Sequence, residues 1–196
     1  MTTLSQRIWR AMKEDADAKD KVPFQRTLNL GCGKDGWGTD RVDLYATPTT
    51  TLVANIDKQR LPYKDGTFDL VKMSGVLEHL KNMGFALDEV YRVMKPGAEL
   101  YIRTDNAGFL GFHLIKKLEH SYISERWYAI DNFGHHQEDD HHYHLFVPSH
   151  LKALLKKFKN IKIHYFYMNP NSWKGRLCQL LPQSIGASQI DVRCVK

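Results

Sequence analysis

Leu28-Asn29-Leu30-Gly31-Cys32-Gly33 decides the fold: an apolar run that ends abruptly in a glycine pair. Thr27 to Leu30 reads as a short buried strand. Two glycines directly after a strand let the backbone turn tightly and approach a ligand where a Cβ would collide. With Gly36 the loop spells G-x-G-x-x-G, the text of a dinucleotide site that holds pyrophosphate on a helix N-terminus. The next strand-end acid is Asp43, in Arg41-Val42-Asp43-Leu44. It follows the loop too closely, because a dinucleotide site expects its acid about 20 residues on, after a complete helix. Gly36 and Gly38 mark an irregular connection instead. Either the dinucleotide reading fails, or the first helix has been shortened into a loop.

The rest of the chain alternates strands and helices. Leu52 to Ile56 is a third strand ending at Asp57, and Thr67 to Met73 a fourth. Val76 to Leu80 and Ala86 to Met94 have helical spacing, stopped by Lys95-Pro96-Gly97. Glu99 to Arg103 is a fifth strand. Ser149 to Lys159 reads as an amphipathic helix with Leu151, Leu154, Leu155 and Phe158 inward, and Ile161 to Tyr167 as a strand. After an excursion from Asn169 to Gly186, Gln189 to Val195 closes the chain, paired antiparallel with its neighbour at the sheet edge. This pattern predicts an α/β fold whose mostly parallel sheet is covered by helices on both faces, with ligands beyond the carboxyl ends of the strands.

At 196 residues the chain fits one domain, 1–196, able to bury a core without disulfides or metals. A helix from Leu4 to Ala18 opens it within 1–22, and 106–148 is the irregular part, with a helix over Gly108 to Glu119. No run approaches the roughly 18 apolar residues that span a bilayer, so no membrane partner is expected. Met1 to Arg10 lacks the apolar core of a signal peptide, and Cys32, Cys178 and Cys194 suit reduced thiols, which together point to the cytoplasm. A net charge of +6 permits an anionic partner. Nucleic acid is possible but not favoured: no stacking aromatics alternate with Lys152, Lys156, Lys157, Lys159 and Lys162, then Lys174 and Arg176, in any recognisable module. Nothing in the sequence sets the oligomeric state.

Six segments in register resemble one family: Leu28 to Gly33, Val42-Asp43-Leu44, Asn55-Ile56-Asp57, Leu61 to Asp69, Val76-Leu77-Glu78-His79-Leu80, and Val90 to Gly97. Together they are similar to the class I S-adenosylmethionine-dependent methyltransferases, in particular the small type 11 group, in some members of which the first helix is reduced. The resemblance runs from about Thr27 to Arg103, with a looser echo in His144 to Leu151. It implies a single Rossmann-like domain with a seven-stranded, mostly parallel sheet and an antiparallel C-terminal strand. It also implies S-adenosylmethionine as cofactor and a methyl transfer to an O or N nucleophile. With no appended RNA-binding module, a small polar molecule is the expected acceptor. RNA or protein methylation and a silent cofactor-binding domain are the alternatives.

The same resemblance implies roles for matching positions. Leu30, Gly31, Cys32 and Gly33 would border the methionine half of the cofactor. Asp43, followed by Leu44, would take both ribose hydroxyls, since an ionised carboxylate offers two acceptor oxygens to a vicinal diol. Asp57 would accept from the adenine amino group while Ile56 packs on the ring. Met73 and Ser74 would line the floor near the sulfonium. A general base is required only for an acidic acceptor. His79 and Asp105 are candidates by position, joined by His142 from the histidine-rich stretch Gly134 to His144. No metal is expected. His141, His142 and His144 would be the ligands if one were used, because imidazole and carboxylate clusters can hold such ions.

Overall fold

The computed structural model describes residues 26–111, 142–167 and 170–196. The expected helix over Leu4 to Ala18, most of that over Gly108 to Glu119, and His141 lie outside them. Seven strands form one sheet: β1 (Thr27–Leu30), β2 (Asp40–Asp43), β3 (Leu52–Val53), β4 (Phe68–Ser74), β5 (Met94–Asp105), β6 (Lys159–Phe166) and β7 (Gln189–Val195). Their order is β3-β2-β1-β4-β5-β7-β6. The first five are parallel, and β7 runs antiparallel to both β5 and β6. The helices are α1 (Met83–Val93), α2 (Pro148–Leu154), α3 (Trp173–Gln179) and α4 (Gln183–Gly186), with a 3₁₀ turn at Leu77–His79.

All four residues of β1 are buried, as a central strand flanked on both sides requires. Leu28 and Leu30 join Val71, Met73, Leu100 and Ile102 in the core, against which Leu87, Val90 and Val93 of α1 pack. Asn82 caps α1 by accepting the Phe85 amide at 3.3 Å. That helix ends at Val93 as Lys95-Pro96-Gly97 predict, yet Met94 already pairs with Phe68, so β5 begins well before Glu99.

One expectation needs correction. The third strand is only Leu52–Val53, because beyond it the chain folds into turns held by Asn55, whose side chain accepts the Asp57 amide. The expected antiparallel pair stands at the sheet edge: β7 lies between β5 and β6, with Ile190, Asp191 and Val192 buried, and β6 is the half-exposed outer strand. Burial of β7 brings in a charge. Asp191, 1 % exposed, accepts from Arg103 Nε at 2.7 Å and from its second guanidinium nitrogen at 2.8 Å across the β5–β7 pair.

Between β1 and β2 there is no helix. Asp35 organises the loop, accepting from Asn29 Nδ2 at 3.1 Å, the Trp37 amide at 2.9 Å and Lys72 Nζ. Three donors on one carboxylate replace the ladder a helix would supply.

Replacing Asp191 with Ala leaves the Arg103 charge without its bidentate partner, and is expected to cost about 3 kcal/mol in urea denaturation. A loss below about 0.5 kcal/mol would mean the pair is not what fixes β7 in the sheet interior.

Candidate active site

At the carboxyl ends of β1, β2 and β4 lies a cavity of about 300 Å³. Its wall includes Gly31, Gly33, Asp43, Leu44, Ile56, Asp57 and His79, seven of the residues singled out in the sequence. The strand ends converge there because Leu30 pairs with Val42 on one side and Met73 on the other. The Val42 carbonyl then accepts the amides of both Gly31 (2.8 Å) and Cys32 (3.2 Å), bending the loop over the end of β2.

Glycine is required at both loop positions. Gly31 has φ +65°, and a Cβ there would stand 2.2 Å from Val76 Cγ2. Gly33 has φ +51° with nothing within 4 Å of a Cβ, so it presents bare backbone to the cavity. The Gly33 amide donates to Asp43 Oδ2 at 2.7 Å, and its carbonyl accepts from Thr47 Oγ1 and from Thr49 Oγ1 at 2.7 Å. The threonine run after β2 therefore clamps the loop from below. Asp43 Oδ1 accepts the Tyr45 amide at 3.1 Å. With roughly four acceptor sites, a carboxylate that receives these two amides from the described residues has capacity for a diol as well.

Asp57 sits on the opposite wall. Its oxygens accept the amides of Lys81 (3.1 Å) and Asn82 (2.6 Å), tying this loop to the start of α1. It keeps acceptor capacity toward the cavity while serving a structural purpose that the sequence did not reveal.

Four expected residues do not line the cavity. Leu30 and Met73 are fully buried, their side chains turned into the core; Cys32 is buried with Sγ 3.7 Å from Thr50 Oγ1; and Ser74 ends β4 behind the wall. The residue past Ser74 takes the floor instead. Gly75, φ +65°, lines the cavity with Val76, and its amide donates to the Arg103 carbonyl. The signal was available, a glycine directly after a strand as at Gly31. Tyr45, Asn55 and Lys81 also contribute and carried no such signal.

At the rim the chain returns from 106–148. The Glu78 carbonyl accepts the amides of Tyr143 (2.8 Å) and His144 (3.2 Å), holding this segment beside the 3₁₀ turn. The His142 ring meets that of His79 edge-on, centroids 4.4 Å apart, and His142 Nδ1 lies 3.5 Å from Asp105 Oδ2. The three candidates for acid–base work thus stand together, only His79 reaching the cavity wall. His144 turns toward Phe146, centroids 6.2 Å apart. Among the described residues no three His, Cys, Asp or Glu side chains form a metal-holding group.

Below this cluster Glu78 is 2 % exposed, its Oε2 accepting from Thr104 Oγ1 at 2.9 Å. Burial raises its carboxyl from 4.5 to about 7. The charge of Asp105 adds to the rise, against hydrogen bonds from its own backbone N–H and from Thr104.

The cavity at the glycine turn and the 3-2-1-4-5-7-6 sheet define a class I methyltransferase fold. Residues 39–102 match the family described as "Methyltransferase domain". A demethylmenaquinone methyltransferase of Streptomyces avermitilis is 34% identical over 114 residues, 49% of this chain and 48% of the relative. The chain therefore spans about half the length of that curated relative. A S-adenosylmethionine-dependent methyltransferase from Archaeoglobus fulgidus superposes with TM-score 0.62 at 16% identity, covering 99% of this chain and 95% of that one. Phosphoethanolamine N-methyltransferase 2 of Haemonchus contortus, solved with S-adenosyl-L-methionine, gives 0.57 at 16% identity over 88% of this chain and 48% of its own. The chain shares the fold of these methyltransferases, and the segment that matches the methyltransferase-domain family lies at the centre of its sheet.

Because the folded carboxyl of Glu78 binds its proton more tightly than the unfolded one, stability is fullest below pH 4.5 with respect to this group and falls as pH rises to about 7. Denaturation at stepped pH is expected to show a loss of up to about 3 kcal/mol across that window, and Glu78→Gln is expected to flatten it. An unchanged slope in the variant would mean that another group titrates there.

Proposed function

We propose that the chain transfers a methyl group from S-adenosylmethionine to a nucleophilic atom of a small molecule. When bound, the cofactor supplies an electrophilic methyl on a sulfonium, so the protein's work is to hold two reactants in line and keep water out. The observation that carries this reading is the pairing of bare backbone at Gly33 with the carboxylate of Asp43 on one wall of one cavity. In this assignment the Gly31 to Gly33 turn lies along the methionine half, Asp43 receives the ribose hydroxyls, and Ile56 and Asp57 meet the adenine.

The acceptor approaches from the rim, where His79 and His142 stand. Asp105 faces Nδ1 of His142 and favours a proton there, leaving Nε2 as the nitrogen able to take a proton from an acceptor hydroxyl. Support for a small acceptor comes from the relatives' names and from where the basic residues lie. Lys159 opens β6 opposite Val195, and Lys156 and Lys157 precede it, so this part of the lysine face belongs to the edge away from the strand ends that form the cavity.

In a thermal shift assay, S-adenosylmethionine or S-adenosylhomocysteine at about 100 times Kd should stabilise the protein by about 2.7 kcal/mol, a rise of roughly 5–10 °C, while NAD leaves it unchanged. Asp43→Ala should abolish most of that rise. Stabilisation by NAD alone would sink the assignment. For an acceptor that must lose a proton, His142→Ala should lower turnover by about 10²-fold or more while the cofactor-induced rise stays intact. Loss of both together would instead make His142 a structural residue.

A further inference from the structure

The connection between β6 and β7 contains a helix built inside out. In α3 the residues turned inward are small or modest, Gly175 buried and Cys178 half-buried. The large apolar ones face water: Trp173 is 70%, Leu177 55% and Leu180 81% exposed. Spaced at four and three, they make one stripe on the outer face. Ile185 of α4, 36% exposed, extends the apolar surface. The arrangement is fixed rather than frayed. Ser172 caps α3 through the Gly175 amide at 3.0 Å, and a Cβ on Gly186 of α4 would stand 2.2 Å from the Cys178 carbonyl oxygen. Contiguous exposed apolar surface of this kind marks a contact site.

Two further observations say what covers it. The first is charge: the sequence holds no Asp or Glu between Asp140 and Asp191, while Lys174 and Arg176 lie within α3 itself. An apolar stripe on a helix whose sequence carries cations, in a connection without an acid of its own, complements an anionic lipid surface better than a neutral apolar partner. The second is position. Gln189, where the connection re-enters the sheet, pairs with both Phe166 and Asp105, so α3 and α4 sit at the same end of the sheet as the cavity. Asn106, next to Asp105, donates to the carbonyls of Ser184 and Ala187 at 3.0 and 2.8 Å, fixing α4 beside the rim.

We propose that the α3–α4 connection is a membrane-interface anchor, seating Trp173, Leu177 and Leu180 among the acyl chains of an anionic bilayer with Arg176 at the headgroups. No described helix is long and apolar enough to cross a membrane, so the protein lies on the surface. The sequence expectation of no membrane partner rested on that missing span, which excludes crossing and not lying on. The anchoring stands independently of the reaction. Its use, presenting the rim to a lipid-soluble acceptor, rests on the methyltransferase reading.

Co-sedimentation of the full chain with vesicles of 3:1 phosphatidylcholine and phosphatidylglycerol tests the anchor, against phosphatidylcholine alone. Expected are binding to the anionic vesicles that weakens with salt, and a fall of about tenfold or more in partitioning for the double variant Leu177→Ser, Leu180→Ser. The variant must keep the wild-type circular dichroism and the cofactor-induced thermal shift; milder Leu177→Ala replaces it if folding is lost. Equal partitioning of wild type and variant, or no binding to anionic vesicles, would overturn the proposal. So would a wild-type dimer that the variant dissociates, which would assign the stripe to a second copy of the chain. Vesicle binding without any cofactor-induced shift would contradict the enzymatic reading and leave the anchor standing.

Discussion

The short bond from the Gly33 amide to the Asp43 carboxylate, 2.7 Å, is the constraint on which the site depends. In a Rossmann-like sheet a helix ordinarily separates the first glycine turn from the second strand and fixes their distance. Here that helix is missing. The turn is instead tied straight across to β2 by the Asp43 carboxylate and by the Val42 carbonyl, which receives two amides at once. Thr47 and Thr49 close the clamp by donating to the Gly33 carbonyl. A charged acceptor makes a short bond stronger than a neutral one, which suits a loop with little packing of its own.

From that clamp the rest of the site follows by register. β1 lies between β2 and β4, so positioning its end positions Asp43 on one side and Gly75 on the other. The β4 turn then leads to Glu78, whose carbonyl draws in the histidine segment and whose buried carboxyl braces Thr104 of β5. One short stretch, Gly75 to His79, thus contributes both floor and rim. The rim groups, His79, His142 and Asp105, come from three separate parts of the chain and meet where Tyr143 and His144 are hydrogen-bonded to that turn.

Much of this was legible in the sequence, for identifiable reasons. The central strands were readable because they are buried on both faces and therefore mostly apolar, as Leu28, Leu30, Leu70 and Val71 are. The glycine turn and the strand-end acids were readable because they occupy positions where few other residues fit. What was not legible were features that depend on partners distant in sequence. Which of β6 and β7 lies inside was left open, and there Asp191 meets Arg103, 88 residues away. Asp57 serves Lys81 and Asn82 as well as the cavity, and no local pattern announces a carboxylate that caps a later loop. Leu30 and Met73 turn their side chains into the core and do not line the cavity, because a strand end points side chains to alternate faces.

A crystal structure with S-adenosylhomocysteine tests the central claim most directly. The account predicts both ribose hydroxyls within hydrogen-bond distance of the Asp43 carboxylate, the Gly31 to Gly33 turn against the homocysteine half, and the adenine beside Ile56 and Asp57. A ligand bound elsewhere, or one whose ribose does not reach Asp43 while the Gly33 bond persists, would contradict it.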